Sequence, residues 1–152
     1  TSFNTRWKIL RERILAMKEI WNNDEAEFHG EHVNFDPIWS WPKPVQAGGP
    51  PIWLGANSKW AFDRVAEFCD GWMPIGGSGR NGMQNLKDAC DNRGREVSEI
   101  AIALFGAPLD EEGVTGKLAQ GFSDIIFTLP QSEPAKVLNH LDKVADLVAK
   151  FR

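Results

Sequence analysis

The first hydrophobic pattern along the chain is helical. Apolar residues recur at alternating spacings of three and four, which places them on one face of a helix. They are Trp7, Leu10, Ile14, Met17 and Trp21. Asn22-Asn23-Asp24 ends this pattern with residues that favour turns. The sequence therefore predicts an amphipathic helix over roughly Arg6–Asn22.

The next segment, from Glu25 to Pro51, has no sustained pattern of hydrophobic positions. Proline interrupts both helices and sheets, and the segment contains Pro37, Pro42, Pro44, Pro50 and Pro51. We expect an extended insertion loop here. An irregular stretch of this length inside a domain is often functional.

From residue 52 onward, short apolar runs alternate with helical patterns. We expect strands at about 52–56, 72–76, 100–105 and 124–129, each followed by a helix. The helices are predicted from Asn57 or Ser58 to about Phe68, from about Met83 to Arg93 with a stop at Gly94, weakly over Glu111–Gln120, and from Ser132 and Pro134 to the end. The last helix has a stripe that is predicted to be buried: Val137, Leu141, Val144, Val148 and Phe151.

Apolar strands separated by helices are typical of parallel pairing through right-handed crossovers. A complete (β/α)8 barrel needs about 250 residues, so four βα units after a leading helix predict an α/β fold that is half of such a barrel. An open doubly wound sheet of four strands is the alternative. We expect one domain over 1–152, with a leading helix at 1–24, the insertion loop at 25–51 and four βα units at 52–152.

Composition excludes several classes of function. The formal net charge is -4 and basic residues form no cluster, so nothing favours nucleic acid. No run reaches the roughly 18 apolar residues of a membrane span. Cys69 and Cys90 lack metal or redox spacing and are expected to be buried thiols in a reducing, cytoplasmic compartment.

The turn Gly55-Ala56-Asn57-Ser58 lies directly between a predicted strand and a predicted helix. In parallel α/β folds, ligands bind at the carboxyl ends of strands. Small residues let backbone N–H groups approach an anion, and the helix N-terminus adds a favourable field. The turn is therefore a candidate phosphate site. The alternative is an ordinary βα turn with a helix cap.

The second turn of interest runs from Gly76 to Gly82 and contains a G-x-G-x-x-G match at Gly77, Gly79 and Gly82. A dinucleotide fingerprint belongs in the first βα unit, with an acidic residue at the end of the next strand. This match lies in the second unit, so a glycine loop lining a cofactor pocket is the favoured interpretation, with Gly76 and Gly77 as candidate residues.

Other polar and aromatic clusters give weaker signals. Glu27, His29, Glu31 and His32 lack the spacing of a complete zinc site, so a solvated loop is favoured and no metal is predicted. The pair Trp39 and Trp41 could present indoles to a sugar or another ring, although such pairs more often pack a loop onto its domain. No Ser/His/Asp or Cys/His set and no pair of carboxylates suggests a catalytic residue.

Several motifs, taken in order, resemble the luciferase-like oxidoreductases, and most of all their coenzyme F420 branch. They are Ile20-Trp21 with Phe28-His29-Gly30, Trp41 to Gln46, Pro50 to Ser58, Asp70 to Gly76, Arg93-Gly94-Arg95 and Phe127 to Pro130. The resemblance covers nearly the whole chain. It implies the C-terminal half of a (β/α)8 barrel with an insertion.

The resemblance also implies a cofactor and a reaction. The backbone amides at Gly55, Ala56 and Asn57 would hold the phosphate of F420 or FMN, with Gly76 and Gly77 beside it; Ala56 stands where many relatives have a second glycine. The family's chemistry is hydride transfer or flavin-based oxygenation of a small molecule, which the cofactor ring performs. The family's first half, which supplies the proton-handling residues, is absent, so this chain is expected to be a fragment without catalytic residues. The alternative is a non-catalytic, self-associating α/β half-barrel module.

Half a barrel leaves its first and last strands as open edges. Side chains that would fill a barrel interior would then face water, namely Trp53, Met73, Ile102 or Ala103, and Ile126 or Phe127. Such an apolar surface is rarely tolerated in a monomer. We therefore expect a homodimer.

Overall fold

A computed structural model describes residues 2–74 and 81–151, and the chain divides into two compact units, Thr1–Ile52 and Trp53–Arg152. In the first unit, helix α1 spans Arg6–Asn22, which confirms the predicted helix. On the predicted apolar face, Ile14 is buried, and Trp7, Leu10 and Trp21 are half-buried. Glu12, Ile14 and Ala16 are buried, whereas Met17 is 37% exposed. The single-domain organisation stays a prediction.

The insertion segment is not irregular throughout, and in this part the prediction of a loop is wrong. Strands β1, Glu25–His29, and β2, Asn34–Trp39, form an antiparallel hairpin. The rings of Phe28 and Phe35 stack with centroids 6.4 Å apart. The register shifts opposite Pro37, and a bulge in a two-stranded ribbon is a place where a sheet tolerates proline.

The remainder of the insertion is anchored to the end of α1. The Lys43 ammonium donates hydrogen bonds to the carbonyl oxygens of Ile20, at 2.6 Å, and of Asn23. Gly49 has φ +87°, and a Cβ at this residue would lie 2.2 Å from the Trp21 ring. A basic side chain at a helix C-terminus satisfies free carbonyls and complements the helix dipole. This contact holds the proline-rich chain against α1.

The second unit contains the four predicted βα repeats. Its strands are all parallel and their order in the sheet is that of the sequence: β3 Trp53–Leu54, β4 Gly71–Trp72, β5 Ala101–Phe105 and β6 Asp124–Ile126. The helices that follow them are α2 Lys59–Phe68, α3 Gly82–Asp91, α4 Glu111–Ala119 and α5 Pro134–Ala149. A 3-10 turn at Val97–Glu99 precedes β5. The predicted alternation is therefore confirmed, with shorter strands.

The sequential strand order decides between the two predicted architectures. Right-handed crossovers between neighbouring strands place every helix on the same face of the sheet, whereas a doubly wound sheet reverses its order at a switch point. The helix-covered face carries Trp72, Ile102 and Leu104, which are at most 4% exposed. The fold is therefore a stretch of (β/α) barrel, and the doubly wound alternative is wrong.

The predicted buried stripe of the last helix is wrong in part, because Val137, Val144 and Val148 are no more than half-buried. Leu147 is the buried residue of this helix, whereas Leu141 and Phe151 are each 40% exposed and Leu138 is 60% exposed. The strand beneath α5, β6, lies at the edge of the sheet. A helix over an edge strand has a neighbouring βα unit on one side, so much of its apolar surface remains uncovered.

Candidate functional site

The candidate phosphate turn lies where the sequence predicted it, between the end of β3 and the start of α2. Gly55, Asn57 and Ser58 are exposed and Ala56 is half-buried. No described residue other than glycine has a positive φ, and Gly55 is not among the glycines that do. Ala56 therefore adopts this turn without backbone strain, and its amide remains compatible with a contact to an anion.

The buried side chain of Trp72 supports the turn. This indole is completely buried, and its Nε1–H donates a hydrogen bond to the Ala56 carbonyl oxygen at 2.8 Å. The Phe62 ring packs edge-to-face against it with centroids 5.3 Å apart. The Met73 amide also donates to the Leu54 carbonyl at 3.0 Å. A strand-end turn fixed by a buried side chain is suited to present its amides in a constant geometry.

The start of α2 is electrostatically open to an anion. The Ser58 side chain makes no capping hydrogen bond, and no acidic residue lies in the first turn of α2. Helix α4 is the contrasting case. There Asp110 accepts a hydrogen bond from the Gly113 amide at 2.6 Å, and Glu111 and Glu112 follow it. Because α4 already carries carboxylates at its positive end, α2 is the better of the two for binding an external anion.

The second candidate turn cannot be placed. Gly76 and Gly77 lie outside the described residues, as does most of the G-x-G-x-x-G match. Gly82, its last glycine, begins α3, whose first turn contains no acidic residue. In sequence, Gly76 and Gly77 fall between β4 and α3, and β4 is the neighbour of β3 in the sheet.

A concave apolar surface covers the sheet face opposite the helices. A cavity of about 350 Å³ on this face is lined by Trp53, Met73, Ala103, Asp124, Ile125 and Ile126. The Trp53 ring lies across Gly71, where an added Cβ would be 2.3 Å from ring atom Cδ2. Trp53 is 37% exposed and Phe105 is 45% exposed. We refer to this surface as the open sheet face.

Of the two residues expected to face water on β5, Ile102 or Ala103, neither is exposed. Ile102 belongs to the helix-covered face, and Ala103, although on the open face, is 2% exposed because its small side chain lies between larger neighbours. Asp124 pairs in register with Ala103 and is exposed. Sequence reasoning missed this carboxylate on the open face, although strand alternation from Ile126 would have placed it there.

The other sequence candidates do not form sites. His29 approaches Glu27 and His32 approaches Glu31, each at 3.7 Å, as separate pairs. Among residues 2–74 and 81–151, no group of three potential metal ligands comes together. Trp39 is 78% exposed and Trp41 is 63% exposed, so the prediction that these indoles pack inward is wrong.

Glu12 is a buried carboxylate that sequence reasoning missed. It accepts hydrogen bonds from the amides of Glu31, His32 and Val33 at 3.1, 2.7 and 2.9 Å. Gly30 leaves room for it, since a Cβ there would lie 2.4 Å from Glu12 Oε2. The hydrogen bond from His32, followed by those from Val33 and Glu31, lowers the pKa of Glu12 although partial burial opposes this. Its role is to fix the hairpin turn to α1.

None of the described helices is long and apolar enough to span a membrane.

The chain matches the family model for luciferase-like monooxygenases over residues 1–109. It is 30% identical over 150 residues to an uncharacterised protein of Mycobacterium tuberculosis (strain H37Rv), an alignment that covers 95% of this chain and 51% of that protein. It is 34% identical over 87 residues to an FMNH2-dependent dimethylsulfone monooxygenase of Pseudomonas putida, covering 57% and 23% of the two chains.

A solved structure gives the same fold. It is an F420-dependent secondary alcohol dehydrogenase in complex with an F420-acetone adduct, and it matches with a TM-score of 0.58 at 16% identity. The match covers 95% of this chain and 48% of that one. The chain thus spans about half the length of the Mycobacterium relative and about half of this barrel enzyme.

Proposed function

Because the chain belongs to the luciferase-like monooxygenase family, we propose that it is the C-terminal part of a flavin- or F420-dependent oxidoreductase and that it binds the cofactor phosphate. The turn Gly55–Ser58 is the proposed phosphate site. The observation that carries this proposal is the start of α2, which is free of acidic residues and uncapped by Ser58. One FMN-dependent and one F420-dependent relative support either cofactor.

The residues of this chain would bind and orient the cofactor. Amides at Gly55, Ala56 and Asn57 would donate to phosphate oxygens, and the positive end of α2 would stabilise the charge. Trp72 would keep the turn in place through its hydrogen bond to Ala56. Gly76 and Gly77 would line the pocket next to the phosphate. The bound ring supplies hydride transfer or oxygenation of a small-molecule substrate, and the protein supplies binding and orientation.

On its own, the chain is proposed to be inactive and to form a homodimer. At the strand ends, the described residues offer hydrogen-bond donors for an anion. They do not offer an acid and a base that could act on the same substrate atom, so no catalytic residue is assigned. The open sheet face and the two edge strands, β3 and β6, which each pair with one strand among the described residues, support self-association. Cys69 and Cys90 are buried and form no disulfide, which supports a cytoplasmic location.

Titration of the chain with FMN and with F420, followed by calorimetry, tests the phosphate site. A chain that supplies only half of the cofactor pocket should bind the cofactor weakly, with Kd on the order of millimolar, which corresponds to a binding free energy of about -4 kcal/mol. Micromolar binding would mean that this half of the barrel contributes far more than the phosphate contact.

Replacement of Ser58 tests the location of the site. Ser58→Asp places a carboxylate at the N-cap, which stabilises α2 but repels a phosphate. Ser58→Asn gives a similar cap without the charge and is the matched control. We expect Ser58→Asp to reduce cofactor affinity at least about tenfold and Ser58→Asn to leave it nearly unchanged. Equal affinities for both variants would place the phosphate elsewhere.

A non-catalytic, self-associating α/β half-barrel is the second candidate function. The uncovered open sheet face favours it. Failure to bind FMN, F420 and inorganic phosphate, together with a stable dimer, would select this function over the first.

A further inference from the structure

An exposed phenyl ring lies at the carboxyl end of the open sheet face. Phe105 is the last residue of β5, two positions beyond Ala103, and it pairs in register with Ile126. The amides of Gly106 and Ala107 both donate to the Ile126 carbonyl, at 3.0 and 3.1 Å, which fixes the end of β5 beside β6. Although its backbone is held in this way, Phe105 is 45% exposed. Its ring is therefore available to contact a ligand.

Met73 connects this end of the face to the proposed phosphate turn. Its amide donates to the Leu54 carbonyl at 3.0 Å, and its methyl group lies 4.0 Å from the position of a Cβ on Gly55. Neighbouring strands are about 4.8 Å apart, so β3 and β5, which are separated by β4, place Gly55 and Phe105 on either side of Met73. Ligands of parallel α/β folds bind at the carboxyl ends of the strands. A small molecule bound beside the turn and over Met73 is therefore within reach of Phe105.

The charges around this space disfavour an anionic ligand. None of the described residues that line the cavity of the open sheet face is a lysine or arginine, and its one charged residue is the carboxylate Asp124. Lys59, which follows the phosphate turn, lies with its ammonium 4.6 Å from the centroid of the Trp60 ring and lines a separate cavity between α2 and α3. An anion that is removed from water without a paired cation is strongly unfavourable.

We propose that Phe105 contacts the substrate and that Phe105 and Met73 together select a small, uncharged and apolar one. An aromatic ring and a thioether offer dispersion contacts but no strong hydrogen-bond donor for a phosphate, sulfonate or carboxylate group. Asp124, in the row of side chains below Phe105, would repel such a group. The inference rests on the proposed function, because this space is a substrate site only if a cofactor is bound at Gly55–Ser58 beside it.

Cyclohexanol and cyclohexanecarboxylate test the substrate class, because they share a ring and differ in charge. The full chain is labelled with 13C at the methyl groups of its three methionines and titrated with each probe in an NMR experiment. Met73 reports on the open sheet face, whereas Met17 on α1 and Met83 on α3 are internal references. We expect cyclohexanol to shift the Met73 signal alone, with an affinity at least about tenfold higher than that of cyclohexanecarboxylate.

Substitutions of Phe105 test its contact with the probe. Phe105→Ala should weaken cyclohexanol binding about fivefold, and Phe105→Lys should bind cyclohexanecarboxylate more tightly than cyclohexanol. Phe151→Ala is the matched control, since Phe151 is a phenylalanine of similar exposure, 40%, at the end of the chain, and it should change neither affinity. Equal affinities of the wild-type chain for the two probes, or a loss in Phe105→Ala no greater than in Phe151→Ala, overturns the inference.

FMN separates this inference from the proposed function. Ser58→Asp should weaken FMN binding and leave the cyclohexanol affinity unchanged, because the two ligands occupy neighbouring sites. Displacement of cyclohexanol by FMN would assign the surface at Phe105 to the cofactor ring and overturn the inference. A chain that binds no FMN but keeps its preference for cyclohexanol at Met73 would refute the cofactor site and leave the apolar site standing.

Discussion

Replacing Arg95 tests whether the Arg93-Gly94-Arg95 motif acts as a structural clamp. Arg95 Nη1 donates to the Cys69 carbonyl at 2.7 Å and makes longer contacts to the carbonyls of Val65 and Ala66, at 3.3 and 3.4 Å. These carbonyls belong to the C-terminal end of α2, which has no basic residue in its own last turn. The side chain is 22% exposed and also contacts Glu99 at 3.2 Å.

The expected magnitude follows from these contacts. A hydrogen bond to a charged group contributes about 1.5–3 kcal/mol, and a cation at a helix C-terminus adds about 0.3–1 kcal/mol. The longer contacts and the exposed pair with Glu99 add less than about 1 kcal/mol. Arg95→Ala should therefore reduce the free energy of unfolding by about 2–4 kcal/mol. Arg95→Lys should recover part of this loss, since it keeps the charge but not the planar fork.

Urea unfolding followed by circular dichroism measures the effect. The matched control is Arg93→Ala, because Arg93 contacts Glu67 at 3.6 Å and is 40% exposed; its cost should stay below about 1 kcal/mol. An Arg95→Ala variant that is as stable as Arg93→Ala to within about 0.5 kcal/mol would show that the guanidinium does not clamp α2.

Two further predictions concern stability. Glu12→Gln should reduce the free energy of unfolding at neutral pH. Because the pKa of Glu12 is lower in the folded chain, the carboxylate stabilises the fold fully above its unfolded pKa, and this stabilisation is lost as the pH falls through the folded pKa. The stabilities of the variant and the wild type should therefore converge in acid, and a difference in unfolding free energy that stays constant with pH would contradict this. Gly71→Ala should cost about 1–3 kcal/mol because its Cβ meets the Trp53 ring, whereas Gly116→Ala, with nothing within 4 Å of its Cβ, should gain up to about 1 kcal/mol in thermal unfolding.

The sequence predicts those parts of the fold that depend on local periodicity. Apolar patterns predict α1 and the four βα units, most weakly at α4, and the structure confirms their positions. The hairpin was missed because β2 contains Pro37, and proline counts against a strand unless a bulge or an open edge accommodates it. The buried stripe of α5 was wrong in part because burial depends on which elements lie next to a helix, and local sequence does not carry that information.

The candidate site likewise has a part that the sequence predicts and parts that depend on tertiary contacts. The position of Gly55–Ser58 between a strand and a helix follows from the chain itself. The support from Trp72, which lies 16 residues away from Ala56 in sequence, follows only from the register of β3 and β4. Glu12 and the hairpin turn meet across about 20 residues, which no periodicity predicts.

Two of the motifs that carry the family resemblance have structural roles, and this explains why the cofactor is not decided by them. Lys43, within Trp41 to Gln46, binds carbonyl oxygens at the end of α1, and Arg95 does the same for α2. Both motifs therefore stabilise the C-terminal end of a helix. The proposed phosphate site is a short turn that presents backbone amides, and amides bind a phosphate without regard to the ring attached to it. If this turn binds the phosphate, the choice between FMN and F420 depends on the surroundings of the ring, and a chain that contributes only the phosphate site would be compatible with either.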